Sequence, residues 1–371
     1  MIRVLNILTD SNIGGAGRCL INYLKYCDRE QFSIQAAVPQ GSALIPELQA
    51  LNAQIFEVAG IAEKSFSPGT VGTLKKLIAR EKPDIVHTHG SFSGRIAARQ
   101  CGVKVVYTRH SAFPVPPYLK KGPGRWLNGF LNSHYADAII AVSPATAQNL
   151  LDGGVPEKKI TVMMNGVEPL TPGTPEECQN LRRQLDIPEG MFTAGILARL
   201  EPYKGHMLLL EAAKRLKDEG RDFRILIGGS GTAEQDIRAK IAALELEDRV
   251  LFLGFVEQVS QVLSILDVQL NCSYGTEASS LALIEGMSLG LATVASDYGG
   301  NPYQVDDGET GLLFPSGDAA ALAEKIRMLM DDRTLLHTLC SNAKTAYETR
   351  FTGKIFAANV EAVYKQMMQR K

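Results

Sequence analysis

The chain lacks the features that define several large classes of protein. Its six cysteines form no C-x-x-C pair, which argues against common zinc and dithiol motifs. No apolar run approaches the ~20 residues that a membrane-spanning helix needs. The formal net charge of −1 provides no general attraction to nucleic acid. What is present, 45% hydrophobic and 21% charged residues, is typical of a soluble globular protein, and we expect no nucleic-acid partner.

The cysteines and the first residues also bear on the cellular compartment. Most cysteines lie in apolar segments, where a free thiol behaves as a small hydrophobic side chain, and this favours a reducing environment. The opening segment Met1–Asp10 has neither the charged leader nor the cleavage site of a signal peptide. We therefore expect a cytoplasmic protein, with peripheral attachment to the inner face of the membrane as a variant of that expectation.

Short β-branched runs alternate with helical patterns along the chain, which is typical of parallel α/β architecture. The predicted strands of the first half are Val4–Leu8, Ile34–Val38, Gln54–Val58, Ile85–His87, Val103–Thr108, Ala138–Val142 and Ile160–Met163. Those of the second half are Phe192–Leu197, Phe223–Ile227, Val250–Phe252, Val268–Asn271, Ala292–Ala295 and Leu312–Phe314. The pattern predicts two Rossmann-like domains that face each other across a deep cleft, with ligands at the carboxyl ends of the strands.

A Pro-, Gly- and Thr-rich run, Thr171–Pro175, predicts the linker between the domains. The first domain then spans 1–170 and the second 176–351. The closing segment 352–371 has helical spacing and either packs back on the first domain or caps the second. Helical patterns are also found at Leu20–Tyr26, Val71–Arg80, His206–Asp218 and Thr232–Leu244, and after Asp318 with breaks near Asp331–Arg333 and Thr352–Gly353.

A glycine-rich turn follows the first predicted strand. Gly14, Gly15 and Gly17 precede a helix, so backbone amides there can approach an anion or a sugar closely. The glycine order is not G-x-G-x-x-G, which argues against a nicotinamide-dependent dehydrogenase. The alternative is a tight turn that binds no ligand.

Two cations emerge where the strand Phe192–Leu197 ends and a helix begins. Arg199 can bind a diphosphate through two nitrogens, and Lys204 can act on it as a point charge. A pair of solvated surface cations is the alternative. Their position at the carboxyl end of a strand favours a ligand-binding function.

Two glutamates follow the strand Val268–Asn271. Glu277 lies in a loop, and Glu285 lies about one turn into a helix that we expect to begin near Ser279. The free amides of that helix can hold a phosphate, and a carboxylate can accept two hydrogen bonds from a ribose diol. The alternative is two ordinary surface glutamates, but Glu285 stands among apolar residues and therefore needs a partner.

These motifs, in this order, resemble family 4 of the retaining glycosyltransferases. The resemblance covers nearly the whole chain and implies a GT-B fold. It also implies transfer of a hexose or an N-acetylhexosamine from a nucleotide-diphosphate sugar to a hydroxyl acceptor, in cell-surface polysaccharide or glycolipid biosynthesis. The segments that carry it are Arg199-x4-Lys204, Glu277-x7-Glu285, Ser296–Pro302 and Asp307–Leu313, supported by Gly14-Gly15, Val86–Gly90 and Asn165–Val167.

The resemblance also implies a donor-binding role for several residues. Arg199 and Lys204 would hold the diphosphate, and Glu285 would bind the ribose of the nucleotide. Gly14 and Gly15 would approach the donor phosphate or the acceptor. The phosphate site would be completed by the backbone amides of Ala278, Ser279, Ser280 and Leu281.

The catalytic residues implied by the resemblance are Glu277, His110, Arg199 and Lys204. Glu277 would face the transferred sugar, and His110 matches a family histidine near that sugar, with a satisfied histidine at a strand end as the alternative. The two cations would stabilise the leaving diphosphate, so we expect neither a metal nor another cofactor. The family retains the anomeric configuration, with the leaving phosphate helping to deprotonate the acceptor.

Two departures from the family pattern lie near the expected sugar pocket. Many relatives have a Gly-Phe-Gly type stretch where this chain has Ala278-Ser279-Ser280, and Pro-Glu where it has Pro302-Tyr303. Both put the identity of the donor sugar in doubt rather than the reaction class.

The segment 112–126 is rich in proline, aromatic and basic residues and contains the only tryptophan, Trp126. One interpretation is contact with an anionic membrane or a lipid-linked acceptor, since basic residues mixed with Trp and Tyr suit the bilayer interface. The other interpretation is an ordered crossover loop with buried aromatics. A saccharide is the alternative acceptor.

Two other functions would use the same fold. A sugar-nucleotide epimerase would bind the donor without an acceptor, and a non-catalytic protein would only bind the nucleotide sugar. The placement of Arg199, Glu277 and Glu285 favours a transferase over both.

Overall fold

The computed structural model describes residues 1–369, and the chain forms two units. The first contains Met1–Glu168 together with the chain from Phe351 onward. The second contains Pro169–Arg350, so the chain enters it slightly before the expected boundary at residue 170.

The first unit is built on a parallel sheet. Its strands are β1 (Ile2–Leu8), β2 (Phe32–Pro39), β3 (Gln54–Val58), β4 (Ile85–His89), β5 (Lys104–Arg109), β6 (Ala138–Ala141) and β7 (Ile160–Val162). They form a seven-stranded sheet in the order β3-β2-β1-β4-β5-β6-β7. The strand order reverses between β1 and β4, so the connections after these two strands run to opposite sides of the sheet. Ligands bind in such sheets at the crevice that this leaves at the carboxyl ends of the two strands.

Helices connect consecutive strands of this unit, as parallel pairing requires. The helix α7 begins at a serine, Ser143, whose side chain accepts a hydrogen bond from the amide of Thr146. The helices are α1 (Gly15–Tyr26), α2 (Ile45–Ala50), α3 (Pro68–Glu81), α4 (Phe92–Gln100), α5 (Pro117–Lys120), α6 (Gly122–His134) and α7 (Pro144–Asp152).

The second unit repeats the architecture with a second parallel sheet. Its strands are β8 (Phe192–Leu197), β9 (Phe223–Gly228), β10 (Val250–Gly254), β11 (Val268–Asn271), β12 (Ala292–Ser296) and β13 (Gly311–Phe314). They form a six-stranded sheet in the order β10-β9-β8-β11-β12-β13. Here the order reverses between β8 and β11, so the carboxyl ends of these two strands define the expected ligand position.

Several helices of the second unit begin at side-chain caps. Thr174 and Glu177 form a reciprocal capping box, and Asp318 and Asp332 cap two later helices. The helices are α8 (Pro175–Gln184), α9 (His206–Asp218), α10 (Glu234–Ala243), α11 (Val259–Leu263), α12 (Leu281–Ser288), α13 (Ala319–Asp331) and α14 (Arg333–Ala346). A π-helical turn, Tyr347–Phe351, follows α14.

The final helix, α15 (Gly353–Gln369), belongs to the first unit and packs on α1. Its largest buried side chain is Tyr364, whose ring contacts the rings of Tyr23, Phe32 and His87. Gly353 lies so close to Tyr26 that a Cβ there would be 2.5 Å from its ring. The last helix is therefore part of the core of the first unit.

The predicted strands are all present, with ends close to those expected. The helix starts agree less closely: α1 begins at Gly15 rather than at Leu20, and α12 begins at Leu281 rather than near Ser279. Ser280 is its N-cap residue: the backbone is extended there, the Ser280 hydroxyl accepts from the amide of Leu283, and the Ser280 amide donates to the side chain of Gln304. Among residues 1–369, no helix has the length and apolar character needed to span a membrane.

Candidate functional site

Lys204 and Glu277 form the centre of the candidate site. Lys204 follows β8 and Glu277 follows β11, and these strands are neighbours at the reversal of strand order in the second unit. The Lys204 Nζ lies 2.8 Å from Glu277 Oε2, and the two side chains are 15% and 6% exposed. An ion pair at this depth is held in place by its surroundings rather than by chance contact at a surface.

A single carboxylate oxygen of Glu277 accepts three hydrogen bonds. Besides Lys204 Nζ, its Oε2 accepts hydrogen bonds from Asn271 Nδ2 at 3.1 Å and from Ser273 Oγ at 3.0 Å. These contacts set the orientation of the carboxylate. The other oxygen, Oε1, makes no hydrogen bond within residues 1–369 and presents its lone pairs for a ligand.

The backbone brings the loops after β8 and β11 into direct contact. Gly205 has a positive φ of +77°, and a Cβ at this position would lie 2.0 Å from the carbonyl oxygen of Cys272. The amide of Tyr274 also donates to the carbonyl of Tyr203. Only glycine fits at position 205, and this close approach holds Lys204 against Glu277.

Arg199, the other predicted cation, lies on the surface of the second unit. Its guanidinium donates to Tyr203 Oη at 2.9 Å and is otherwise exposed. The hydroxyl group of Tyr203 thus orients the Arg199 side chain, whose remaining N–H groups can donate to an anionic ligand. Lys204, in contrast, already donates to Glu277, so an approaching diphosphate would share its three donors with that carboxylate.

The loop Ala278–Leu281 lies against a second glycine-containing turn. A Cβ on Gly300 would be 1.8 Å from the carbonyl oxygen of Ala278, and Gly299 has a φ of +62°. Gln304 accepts from the amide of Ser280 and donates to its carbonyl. The amide of Ser280 is therefore paired with Gln304 in this structure, and the phosphate-binding role of the amides of Ala278–Leu281 stays a prediction.

Glu285 lies in the first turn and a half of α12 and is half-buried. Its neighbours along the helix, Ile284 and Gly286, are buried, so the helix holds the glutamate at the boundary between core and solvent. The ribose-binding role stays a prediction.

The glycine-rich turn of the first unit leads into the open N-terminus of α1. Gly14 is the N-cap residue, and no side chain caps this helix among the described residues. A Cβ on Gly15 would have no atom within 4 Å. The first amides of α1 are thus available to an anion or a hydroxyl, and nothing in the packing of the unit itself requires glycine at position 15.

His110 belongs to a cluster of three histidines at the carboxyl ends of β4 and β5. His110 Nε2 lies 2.8 Å from His89 Nδ1, and their rings stack with centroids 5.1 Å apart. His89 Nε2 lies 3.1 Å from Asn6 Oδ1. The ring of His87 contacts the ring of His89 and bonds to Tyr364 and Thr108.

Burial keeps these histidines neutral. It lowers the pKa of His110 to about 4 and the pKa of His87 to about 3, the latter with a smaller contribution from His110. The pKa of His89 is also held well below its usual value, first by burial and then by the neighbouring histidines. Within residues 1–369, no group of three or more His, Cys, Asp or Glu side chains is placed to hold a metal ion.

The segment 112–126 has exposed aromatic side chains, so the interpretation with buried aromatics is wrong. Trp126 is 69% exposed and Tyr118 72% exposed. On α6 the rings of Trp126, Phe130 and His134 stack along one face, with Trp126 and Phe130 centroids 5.6 Å apart. Spacing of four residues on a helix places these rings in a row on one surface.

Several residues of the site were not predicted from the sequence as site residues. Asn271 and Ser273 orient Glu277, Gln304 holds Ser280, and Asn6 and His89 contact the His110 system. Asn6 lies within β1, and the others lie at or just beyond the carboxyl end of a strand or in a turn beside it. Polar residues at strand ends were the available signal, but it does not say which neighbours they meet.

Comparison with known proteins assigns the family. Residues 178–346 match the family described as Glycosyl transferases group 1, and residues 13–169 match Glycosyltransferase Family 4. The chain is 31% identical over 271 residues to the Bacillus subtilis protein EpsD, named as a glycosyltransferase, covering 69% of this chain and 70% of EpsD. The chain belongs to the group 1, family 4 glycosyltransferases and is an enzyme of that class.

Two further proteins are similar to this chain. It is 29% identical over 240 residues to the amylovoran biosynthesis glycosyltransferase AmsK of Erwinia amylovora, covering 63% of this chain and 55% of AmsK. The crystal structure of Anabaena HepE in complex with UDP-glucose superposes with a TM-score of 0.84 at 23% identity, covering 99% of this chain and 100% of HepE. The structural likeness confirms the two-domain GT-B fold.

Proposed function

We propose that this enzyme transfers a hexose or an N-acetylhexosamine from a nucleotide-diphosphate sugar to a hydroxyl acceptor. The observation that carries the proposal is the buried Lys204–Glu277 pair at the reversal of strand order in the second unit. It places a cation and an oriented carboxylate where parallel sheets bind nucleotides. The complex of HepE with UDP-glucose, a protein of the same fold, supports the donor class.

The second unit then holds the donor. Arg199 and Lys204 neutralise the diphosphate, Glu285 accepts from the ribose, and the Oε1 of Glu277 accepts from a hydroxyl of the transferred sugar. Because two cations stabilise the negative charge that develops on the leaving group, the reaction is proposed to need no metal.

The chemical step is proposed to retain the anomeric configuration. The acceptor oxygen bonds to the anomeric carbon on the face from which the diphosphate departs, the bond from that carbon to the phosphate oxygen breaks, and the acceptor proton passes to the departing diphosphate. Proton NMR of the product gives the anomeric configuration directly. An inverted product would contradict retention, and loss of turnover in a chelator, restored by a divalent metal, would contradict metal independence.

Thermal stabilisation by a panel of nucleotide sugars tests the donor site. UDP-glucose, UDP-N-acetylglucosamine and GDP-mannose are compared with nucleoside diphosphates and NAD. A ligand at a hundredfold excess over its dissociation constant raises the free energy of unfolding by about 2.7 kcal/mol. We expect stabilisation by one nucleotide-sugar class and its loss in Lys204→Ala and Glu285→Ala.

The matched control is Lys214→Ala, which removes a partly exposed lysine of α9 that pairs with Asp218 in the same unit. This variant is expected to keep the stabilisation. Stabilisation by NAD alone would overturn the proposal, and interconversion of the sugar on the nucleotide without an acceptor would point to an epimerase.

We also propose that the acceptor belongs to cell-surface polysaccharide or glycolipid synthesis and that the α5–α6 surface meets an anionic membrane. This surface consists of the exposed side chains Phe113, Tyr118, Trp126, Leu127 and Phe130. Lys120, Lys121 and Arg125 lie within the same stretch and are exposed. Aromatic rings beside cations suit the interface of a bilayer with anionic lipids, and the name of AmsK supports the polysaccharide assignment.

Co-sedimentation with lipid vesicles tests the surface. We expect the protein to bind phosphatidylglycerol vesicles, to bind phosphatidylcholine vesicles weakly, and to lose binding in the Trp126→Ala/Phe130→Ala double variant. Phe255→Ala, which removes a 73% exposed aromatic from the second unit, is the control and should bind as before. Equal binding by all variants would contradict the assignment of this surface.

A further inference from the structure

A chain of hydrogen bonds runs from the backbone of β2 to His110. The carbonyl oxygen of Gln35 faces Asn6 Nδ2 at 3.5 Å, and Asn6 Oδ1 faces His89 Nε2 at 3.1 Å. The other nitrogen of His89, Nδ1, faces His110 Nε2 at 2.8 Å. Asn6 and His89 are almost fully buried, and both side chains line a small cavity beside His110.

The carbonyl oxygen of Gln35 determines which atom donates in each of these hydrogen bonds. A carbonyl oxygen only accepts, so the amide group of Asn6 must turn its Nδ2 toward Gln35 and its Oδ1 toward His89. That oxygen also only accepts, so His89 carries its proton on Nε2. A neutral imidazole has one proton, and the Nδ1 of His89 must therefore accept from His110.

His110 consequently carries its proton on Nε2, and its Nδ1 has a lone pair. Within residues 1–369 this nitrogen makes no hydrogen bond. The burial of His89 and His110 favours neutral rings, which the argument requires, and lowers the pKa of both groups. His110 is partly buried and lines a cavity together with Asn6 and His89, so its ring borders open space rather than close-packed side chains.

We propose that Asn6 and His89 are positioning residues that hold His110 in the Nε2-protonated tautomer, so that its Nδ1 accepts a hydrogen bond from a hydroxyl group of the sugar substrate. This inference rests on the proposed function for the identity of the substrate, but not for the tautomer. A histidine in the other tautomer would offer an N–H to the same hydroxyl and would leave the hydroxyl proton without an acceptor.

The hydrogen-bond partners of the neighbouring His87, in contrast, do not select one tautomer. Its two nitrogens contact Tyr364 Oη at 2.7 Å and Thr108 Oγ1 at 2.6 Å. Both partners are hydroxyls, which donate or accept equally well. Neither tautomer of His87 is therefore excluded, whereas the acceptors at Gln35 and Asn6 select one for His110.

Long-range proton–nitrogen NMR of protein labelled with ¹⁵N-histidine tests the tautomer directly. The chain has six histidines, and the signals of His110 are assigned by their absence in His110→Gln. At pH 7.5 we expect His110 Nε2 to be protonated and Nδ1 to be unprotonated. A proton on Nδ1, or exchange between two tautomers, would overturn the proposal whether or not a sugar donor has been found.

Variants then connect the tautomer with turnover. Asn6→Leu removes the acceptor that orders the chain, so we expect mixed tautomers at His110 and a kcat/KM lower by about tenfold, the effect of one hydrogen bond. In His89→Gln the amide donates to Asn6 and accepts from His110, as the imidazole did. This variant should keep the tautomer and most of the activity.

Thr88→Val is the matched control in the same strand, because the buried hydroxyl of Thr88 has no partner within the described residues. It should change neither the spectrum nor kcat/KM. If Asn6→Leu lowers kcat/KM while the tautomer of His110 is unchanged, Asn6 is only a structural residue and the proposal fails. If the tautomer behaves as expected but UDP-glucose and the other donors give no turnover, the proposed function fails instead.

Discussion

The Lys204–Glu277 ion pair stabilises the fold and is also the centre of the proposed donor site. The side chains are mostly buried, and each depends on the other for charge compensation. Removing one partner of a buried pair leaves an uncompensated charge, which is strongly destabilising. Loss of donor binding in Lys204→Ala must therefore be compared with its stability without ligand, and the thermal measurement gives both values.

The neutral histidine cluster makes stability depend on pH. The pKa of His87 is about 3 in the folded protein, against about 6.5 when unfolded. The unfolded chain therefore takes up a proton first as the pH falls, so the contribution of His87 is complete above pH 6.5 and decreases towards pH 3. Between pH 7.5 and 5 this residue alone lowers the free energy of unfolding by about 2 kcal/mol.

Urea denaturation of wild type and His87→Gln at both pH values measures this difference. The wild type should lose about 2 kcal/mol more than the variant, since glutamine does not titrate. His337→Gln, at an exposed position on α14, is the control. Equal losses in wild type and His87→Gln would mean that His87 is not neutral by burial.

At the level of elements, a substitution in the glycine-rich turn before α1 can test ligand binding without lowering stability. Gly15 has open space around it, so Gly15→Ala should leave the melting temperature unchanged or slightly higher. If the amides of this turn meet a ligand, the added methyl group blocks the approach, and we expect KM for donor or acceptor to rise by about tenfold or more.

Gly41→Ala provides a comparison of the opposite kind. Gly41 also has open space but a φ of +70°, so alanine there is strained and should lower stability without changing KM. An unchanged KM in Gly15→Ala would favour the simple tight turn.

The first residue of α12 is an element boundary that the sequence alone did not predict. Apolar spacing predicts that a helix contains Glu285, and it does. The start moved to Leu281 because Gln304 pairs with the backbone of Ser280 and because Gly300 packs against Ala278. Both contacts come from the loop after β12, and no local pattern around Ser279 reveals them.

At the scale of the whole molecule, the first unit is completed by the end of the chain. Phe356, Val360, Val363, Tyr364 and Met367 of α15 are buried in it. Burial of these five side chains contributes about 10 kcal/mol, which is comparable with the entire stability of a domain. A chain ending at Arg350 should therefore lose the folded first unit.

Limited proteolysis with mass spectrometry checks this expectation. Cleavage sites should spread through Met1–Glu168 in the shortened chain, while Pro169–Arg350 stays protected. A chain ending at Met367, which keeps the buried side chains, is the control and should resist as the wild type does. Protection of Met1–Glu168 without α15 would show that α15 only covers a unit that is already stable.

The sequence by itself determined the succession of strands and helices, the family and the residues with suitable chemistry, because periodicity, caps and motifs are local. Only the tertiary structure decided which of these residues meet. Glu277 reaches Lys204 because β11 pairs with β8, and His110 reaches His89 because β5 pairs with β4. Strand order in a parallel sheet arises from long crossovers and from packing between distant segments, so the partners of each site residue are set by contacts that no local pattern encodes.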